Sequence, residues 1–351
     1  MQQVLKLAAS CASKITLNYM PLIEKSSYTR PPFHHFNGHI QTIFPAFRKV
    51  KDVAYERERI DTPDGDFLDL DWIKNNSNNL VILTHGFEGN SGRPYILGMA
   101  KIMSENGWDV LSWNCRSCSG EMNRAFEMYN HGNIDDIDHV VKHAVSTKNY
   151  DEIALIGFSM GGNISLKYAS LQAHPSVKRV IAFSAPLDMK SSSELLGEKH
   201  NWLYRLNFEK KLQPKLVEKI ALFPDKLNLK DITQKDWNEQ MHTYFCKING
   251  YSDLETFYSI GSALNFIPKM EIPALIVQAK NDPLLSPECF PYDLAKEHPN
   301  IYLETPTDGG HCGFPLAGDK KYSWAEYRAL EFLTTKNTDK KYIFPTKSYL
   351  S

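Results

Sequence analysis

Short apolar runs alternate with stretches of helical spacing through the first half of the chain. The runs have the length of buried strands and cover residues 80–84, 108–113, 153–156 and 179–183. Between them, residues 95–103 and 134–145 carry apolar side chains at helical spacing. Two further strands, joined by the turn Pro63-Asp64-Gly65, are predicted within residues 53–74. The alternation predicts an α/β fold with a mostly parallel central sheet and helices on both faces.

A long segment without an obvious buried strand interrupts this alternation. Residues 189–268 are rich in Lys, Glu, Leu, Phe, Trp and Tyr at helical spacing, which predicts a helical cap over the strand ends. Strands resume at 272–279 and 301–304, and a last helix is predicted over 322–334. The predicted units are an N-terminal wrapping segment 1–52, core parts 53–188 and 269–351, and the cap 189–268. Residues 15–50 are rich in aromatic side chains and proline and are expected to wrap over the core as an extended chain.

The sequence Gly157-Phe158-Ser159-Met160-Gly161 lies between a predicted strand and a predicted helix. In that context the serine occupies a strained turn with its hydroxyl exposed at the end of the sheet. A glycine-rich connection with an incidental serine is the alternative, because so short a pattern also arises by chance. The residues that follow other strands decide between the two.

Asp282 and His311 each follow a predicted strand, as Ser159 does. A serine hydroxyl needs a histidine to accept its proton, and the histidine needs a carboxylate to fix its tautomer. These three residues therefore form a candidate catalytic triad. Asp188 and Asp308 are the rival acids.

Two backbone N–H groups are candidates for binding the oxyanion of an ester transition state. One belongs to Met160, directly after the serine. The other belongs to Phe87 in the loop His85-Gly86-Phe87-Glu88-Gly89, which follows the strand at 80–84.

Composition excludes several other classes of protein. The net charge is −1 without a basic stripe, so no nucleic-acid partner is expected. Six scattered cysteines suit a reducing compartment, and the N-terminal 20 residues lack the pattern of a signal peptide, so a cytoplasmic protein without a transmembrane segment is expected. The stretch with His34, His35 and His39 is interpreted as packing and loop-fixing histidines rather than as a metal site. Cys115 and Cys118 are interpreted as two ordinary loop cysteines rather than as a redox or zinc pair. Neither a metal nor an organic cofactor is predicted.

The chain resembles the α/β-hydrolases, and among them the YheT-like branch, over nearly its whole length. The resemblance rests on the motifs already quoted and on four further segments: Gly38-His39-Ile40-Gln41-Thr42, the stretch from Asn114-Cys115-Arg116 to Asn123-Arg124, Asn281-Asp282-Pro283, and Gly310-His311 with Gly313-Phe314. It implies serine esterases or lipases, with the triad at Ser159, Asp282 and His311. The sequence departs from the family at Ser117, where glycine is usual, and at Asn281, often aspartate. It is more similar to soluble bacterial members than to membrane-anchored eukaryotic ones.

The sequence as a whole predicts a serine hydrolase that cleaves carboxylic esters with short to medium acyl chains, or lipid-like esters. Thioester hydrolysis or acyl transfer would use the same residues, and a non-catalytic binding protein of this fold stays open. Aromatic and aliphatic cap residues are candidates either for an acyl-binding wall or for simple cap packing: Trp202, Leu203, Tyr204, Leu206 and Phe208.

Overall fold

The computed structural model describes residues 22–28, 30–233, 237–318 and 321–335. The first 20 residues, for which the sequence predicts no signal peptide, lie outside that range, as do parts of the predicted units 1–52, 189–268 and 269–351. The boundaries of these units stay predictions.

A single nine-stranded sheet runs through the molecule in the order β1-β9-β8-β7-β6-β4-β5-β3-β2. The strands are β1 Leu22–Ile23, β2 Glu56–Asp61, β3 Phe67–Ile73, β4 Asn79–Thr84, β5 Asp109–Asn114, β6 Glu152–Phe158, β7 Val177–Phe183, β8 Ala274–Val277 and β9 Ile301–Glu304. All neighbouring pairs are parallel except β2–β3 and β3–β5. The mostly parallel sheet predicted from the sequence is confirmed.

Both faces of the central strands are buried, which explains their continuous apolar runs. In β4, Leu80 and Ile82 belong to one hydrophobic cluster, whereas Val81 and Leu83 belong to another. Side chains alternate between the faces of a strand, so the two clusters are the cores above and below the sheet.

Helices cover the sheet and fill the interval between β7 and β8. They are α1 Gly38–Ile43, α2 Pro94–Glu105, α3 Asp135–Thr147, α4 Met160–Leu171, α5 Met189–Gly197, α6 Trp202–Leu222, α7 Leu229–Ile232, α8 Trp237–Met241, α9 Leu254–Gly261, α10 Tyr292–Glu297 and α11 Trp324–Thr334. A π-helix, His242–Ile248, continues α8. Within the described residues, no helix is both long enough and apolar enough to span a bilayer.

The described part of the cap is built from helices and has an apolar core of its own. That core combines residues of α6, the π-helix and α9 with Phe126 and Met128 from the loop after β5. The predicted helical character of this segment is confirmed. Because the cap core includes residues from outside the insertion, the cap is packed onto the sheet domain rather than tethered beside it.

The N-terminal segment differs from the expectation of an extended wrapping chain. Residues 38–43 form the short helix α1, whose first turn is capped by the Asn37 side chain accepting from the Ile40 N–H. A single 3₁₀ turn, Phe44–Phe47, follows directly. Six residues are too few for a clear periodic pattern in the sequence, so the cap residue was the only local sign of this helix.

Candidate active site

Ser159 occupies the sharp turn between β6 and α4. Its φ is +52° and its ψ is −122°, a combination that costs a non-glycine residue free energy and that packing must stabilise. A Cβ on Gly157 would lie 2.2 Å from the carbonyl oxygen of Gly161, and a Cβ on Gly161 would lie 2.2 Å from that of Thr84. Glycine is therefore required on both sides of the serine.

Ser159, His311 and Asp282 form a continuous chain of hydrogen bonds. The Ser159 Oγ and His311 Nε2 are 2.9 Å apart. His311 Nδ1 lies 2.8 Å and 3.1 Å from the two Asp282 oxygens. The Asp282 side chain is fully buried, and its Oδ1 also accepts from the Leu284 N–H. The loops after β6, β8 and β9 thus bring together the three residues selected from the sequence.

The charge of Asp282 makes the imidazole of His311 more basic than an ordinary histidine. Burial lowers the pKa of His311, but the Asp282 carboxylate outweighs it, and the pKa stands well above its usual value. The charged imidazolium is therefore stabilised in place, as a general base requires.

The two rival acids have other partners. Asp188 caps the N-terminus of α5, where its carboxylate accepts from both the N–H and the hydroxyl of Ser191. Asp308 accepts from the amides of Gln41 and Asn281. Neither carboxylate is hydrogen-bonded to His311 in the described structure, so the geometry favours Asp282.

The loop after β4 approaches Ser159 closely because β4 and β6 are neighbours in the sheet. A Cβ on Gly86 would lie 3.1 Å from the Ser159 Cβ, and the Gly86 N–H donates to the Tyr95 hydroxyl. Phe87 follows at the same edge. Met160 is the first residue of α4, where backbone N–H groups lack an intrahelical acceptor. The oxyanion roles of the Phe87 and Met160 N–H groups remain predictions.

Gln41 of α1 ties together the loops that carry Asp282 and His311. Its Nε2 donates to the His35 carbonyl at 2.8 Å and to Asp308 at 3.1 Å. Its Oε1 accepts from the Gly309 N–H at 2.7 Å and from Asn281 at 3.0 Å. The side chain is completely buried. The sequence drew attention to this segment only as a family motif, since a lone glutamine carries no catalytic signal.

Thr42 and Asn281 complete this support. The Thr42 hydroxyl accepts from the His311 N–H at 2.8 Å. The Asn281 Oδ1 accepts from the Gly310 N–H, while its Nδ2 donates to Asp308. This explains the departure from aspartate at residue 281: a second carboxylate beside Asp308 would remove a donor and add repulsion.

Two cavities meet at the serine. A wide, open cavity of about 640 Å³ lies between α1, the loop after β4 and the cap helix α6. A narrow cavity of about 80 Å³ extends beneath the cap and is lined mainly by apolar side chains. Both are lined by Phe87, Ser159, Phe208, Leu284 and His311.

The five cap residues singled out in the sequence divide into two groups. Leu203, Tyr204 and Phe208 line the wide cavity, and Phe208 also lines the narrow one. Trp202 and Leu206 are exposed and line neither cavity. The prediction of an apolar wall thus applies to part of this helix.

The histidine stretch and the cysteine pair take structural positions. His35 is buried against Phe44, and His39 stacks on Tyr204 with its Nδ1 3.0 Å from that hydroxyl. Cys115 and Cys118 are buried free thiols. Among the residues that the structure describes, no cluster of three or more His, Cys, Asp or Glu side chains has metal-binding geometry.

Ser117, between these cysteines, has a φ of +62°. That is the left-handed region where glycine is favoured, which accounts for the glycine usual in the family. The Ser117 hydroxyl bonds to the Asn123 side chain at 2.5 Å, which offsets part of the backbone cost.

Comparison with known proteins gives the family. The sequence-family model described as alpha/beta hydrolase fold matches residues 79–317 of this chain, and these residues include Ser159, Asp282 and His311. The chain belongs to the α/β-hydrolase fold family. It is a hydrolase of that fold and is YheT-like, as the resemblance implied.

Relatives of this hydrolase include proteins named for ester cleavage. YheT of Escherichia coli (strain K12), provisionally named an esterase, is 28% identical over 313 residues, which cover 85% of this chain and 91% of YheT. The phospholipase ABHD3 of Mus musculus is 26% identical over 315 residues, covering 86% of this chain and 76% of ABHD3.

A solved structure agrees with the fold. The Pyrococcus furiosus esterase Pf2001 superposes with a TM-score of 0.55 at 18% identity, covering 82% of this chain and 95% of the esterase. At that identity the likeness supports the α/β-hydrolase fold and nothing finer.

Proposed function

We propose that this hydrolase cleaves carboxylic esters through an acyl-enzyme on Ser159, with His311 as general base and acid and Asp282 as the residue that orients His311. The hydrogen-bond chain from Asp282 through His311 to the Ser159 Oγ is the observation that carries the proposal. Relatives named as an esterase and a phospholipase support ester substrates.

The proposed reaction has two halves with one proton carrier. The Ser159 Oγ attacks the ester carbonyl as its proton passes to His311 Nε2, and His311 then returns a proton to the departing alcohol. Water next attacks the acyl-enzyme, gives its proton to His311 and releases the acid, and the proton returns to Ser159. Asp282 stabilises the imidazolium in both halves without taking the proton.

The backbone N–H groups of Phe87 and Met160 are proposed to bind the oxyanion of each tetrahedral intermediate. The close approach of Gly86 to Ser159 supports the first, and the position of Met160 in the first turn of α4 supports the second.

The two cavities suggest how an ester is divided about the serine. The narrow cavity, at about 80 Å³, is much smaller than the wide cavity, at about 640 Å³, and its lining is mainly apolar. We assign the narrow apolar cavity to a short acyl chain and the wide cavity to the alcohol portion.

Hydrolysis of p-nitrophenyl esters from acetyl to palmitoyl tests the proposal. We expect Ser159-dependent turnover with an optimum among the short acyl chains, because the cavity assigned to the acyl group is the smaller of the two. The variant Ser159→Ala should lose activity by roughly 10⁶-fold. Ser170→Ala, in the same helix and bonded only to a helix carbonyl, serves as the matched control and should retain activity.

The possible results separate the alternatives. An optimum at long chains would assign the acyl group to the wide cavity. Turnover of acyl thioesters well above that of matched oxygen esters would favour a thioesterase. The absence of Ser159-dependent turnover on every ester and thioester would contradict the proposal and favour a binding protein of this fold.

A further inference from the structure

The wide cavity is lined by two cations that lack a carboxylate partner. Arg93 lies at the N-terminus of α2, and Lys211 lies on the cap helix α6. Both side chains line the cavity that contains Ser159 and are half-buried. Neither forms a salt bridge within the described part of the chain.

The other charges at this cavity are already matched. Glu88, the acid among the lining residues, has both carboxylate oxygens within 2.9 Å of the Lys215 Nζ. Arg48, the third lining cation, pairs with the buried Glu326. Arg93 donates to the backbone carbonyl of Glu88, which satisfies one donor but leaves its charge unneutralised. The cavity therefore carries a surplus of positive charge although the whole chain has a net charge of −1.

The two cations also repel each other. Burial lowers the pKa of Lys211, and the charge of Arg93 lowers it further, whereas Glu88 acts in the opposite direction without reversing the shift. An anion seated between them would relieve this repulsion. Guanidinium and ammonium groups together form the donor set that proteins use for phosphate oxygens.

We propose that Arg93 and Lys211 form an anion subsite that binds a phosphate group on the alcohol portion of the ester. The inference rests on the proposed function for its position relative to Ser159. It predicts that phosphorylated alcohol esters are preferred over neutral esters with the same acyl chain.

A matched pair of substrates provides the test. The ratio of kcat/KM for 1-acylglycerol 3-phosphate to that for 1-acylglycerol, both with the acyl chain preferred in the p-nitrophenyl series, should exceed about 10 at low salt and fall as salt is added. Lys211→Gln and Arg93→Gln should each reduce this ratio by about 10-fold. Lys210→Gln, an exposed neighbour that does not line the cavity, is the control and should leave the ratio unchanged.

Direct binding makes the test independent of turnover. Calorimetry on Ser159→Ala should detect a heat of binding for glycerol 3-phosphate, and the added substitution Lys211→Gln should abolish that heat of binding.

Inorganic phosphate is titrated in parallel, and binding as tight as that of glycerol 3-phosphate would assign the subsite to the free anion instead. Equal kcat/KM for both esters without glycerol 3-phosphate binding would overturn the inference while leaving the ester hydrolase intact. If the wild type turns over no ester but Ser159→Ala still binds glycerol 3-phosphate, the ester-hydrolase proposal fails and the anion subsite stands.

Discussion

The Asp282 carboxylate sets the proton affinity of His311. Burial alone would lower the pKa of the imidazole, and the adjacent negative charge reverses the direction of that shift. The proposed general base is neutral His311, so activity requires a pH above the pKa of His311 in the folded enzyme.

The pH dependence of activity follows from the raised pKa of His311. As pH falls through the raised pKa, His311 becomes protonated and kcat/KM should decline, with the midpoint of the acid limb above 6.5, the ordinary histidine value. A stopped assay with an ester whose product signal does not depend on pH measures the limb. A midpoint below that value would contradict the assigned balance between Asp282 and burial.

Replacing the carboxylate tests which acid acts. Asp282→Asn should lower kcat by about 10⁴-fold and move the remaining acid limb to lower pH, because burial then acts without the opposing charge. Asp188→Asn is the matched control, since asparagine caps a helix as well as aspartate does. The assignment fails if Asp188→Asn causes the larger loss.

At the scale of elements, α1 positions the proposed base and acid although it carries neither. Gln41 joins α1 to Asp308, which lies 267 residues away in the sequence, and Thr42 holds the backbone of His311. The motif Gly38-His39-Ile40-Gln41-Thr42 is therefore explained by contacts with the loops after β8 and β9. A Cβ on Gly38 would lie 1.9 Å from the Asn281 carbonyl oxygen, so the approach itself requires glycine.

Gln41→Met should lower the free energy of unfolding by about 2–4 kcal/mol, because it leaves buried partners such as the Gly309 N–H unsatisfied. It should also reduce kcat, since the loop of His311 loses its tie to α1. Gln213→Met, on an exposed part of α6, is the control and should change little. Urea denaturation together with ester kinetics measures both effects, and wild-type stability in Gln41→Met would refute the role.

At the scale of the whole molecule, an ion pair between a half-buried lysine and a buried glutamate connects the cap to the sheet domain. Lys215 of α6 bonds to Glu88, and Glu88 also accepts from the Tyr129 hydroxyl at 2.6 Å. Glu88 directly follows Phe87, so the position of the cap is coupled to the loop of the proposed oxyanion donor.

Lys215→Met should destabilise the fold by about 3–5 kcal/mol, because the buried Glu88 charge loses its partner. The double variant Glu88→Gln with Lys215→Met should recover part of that loss. Lys190→Met, which breaks the exposed pair with Glu255, is the control and should leave stability nearly unchanged. Thermal denaturation of the four proteins measures the coupling, and equal losses in the single and double variants would refute it.

The sequence alone determined the features that local pattern encodes. Three features depend only on neighbouring residues: the apolar runs of β4 to β9, the glycines beside Ser159, and the helical composition between β7 and β8. Periodicity and turn chemistry therefore predicted them. The order of Ser159, Asp282 and His311 followed from the same strand ends. The family match and the parallel sheet confirm the fold to which these patterns pointed.

Only the tertiary structure decided the relations between distant segments. It gave Asp282, Asp188 and Asp308 different hydrogen-bond partners, and it replaced the expected extended segment with α1. It also brought Arg93 and Lys211 into one cavity while matching Glu88 with Lys215. Such pairings depend on strand order and side-chain packing across long separations, and no local spacing in one sequence specifies them.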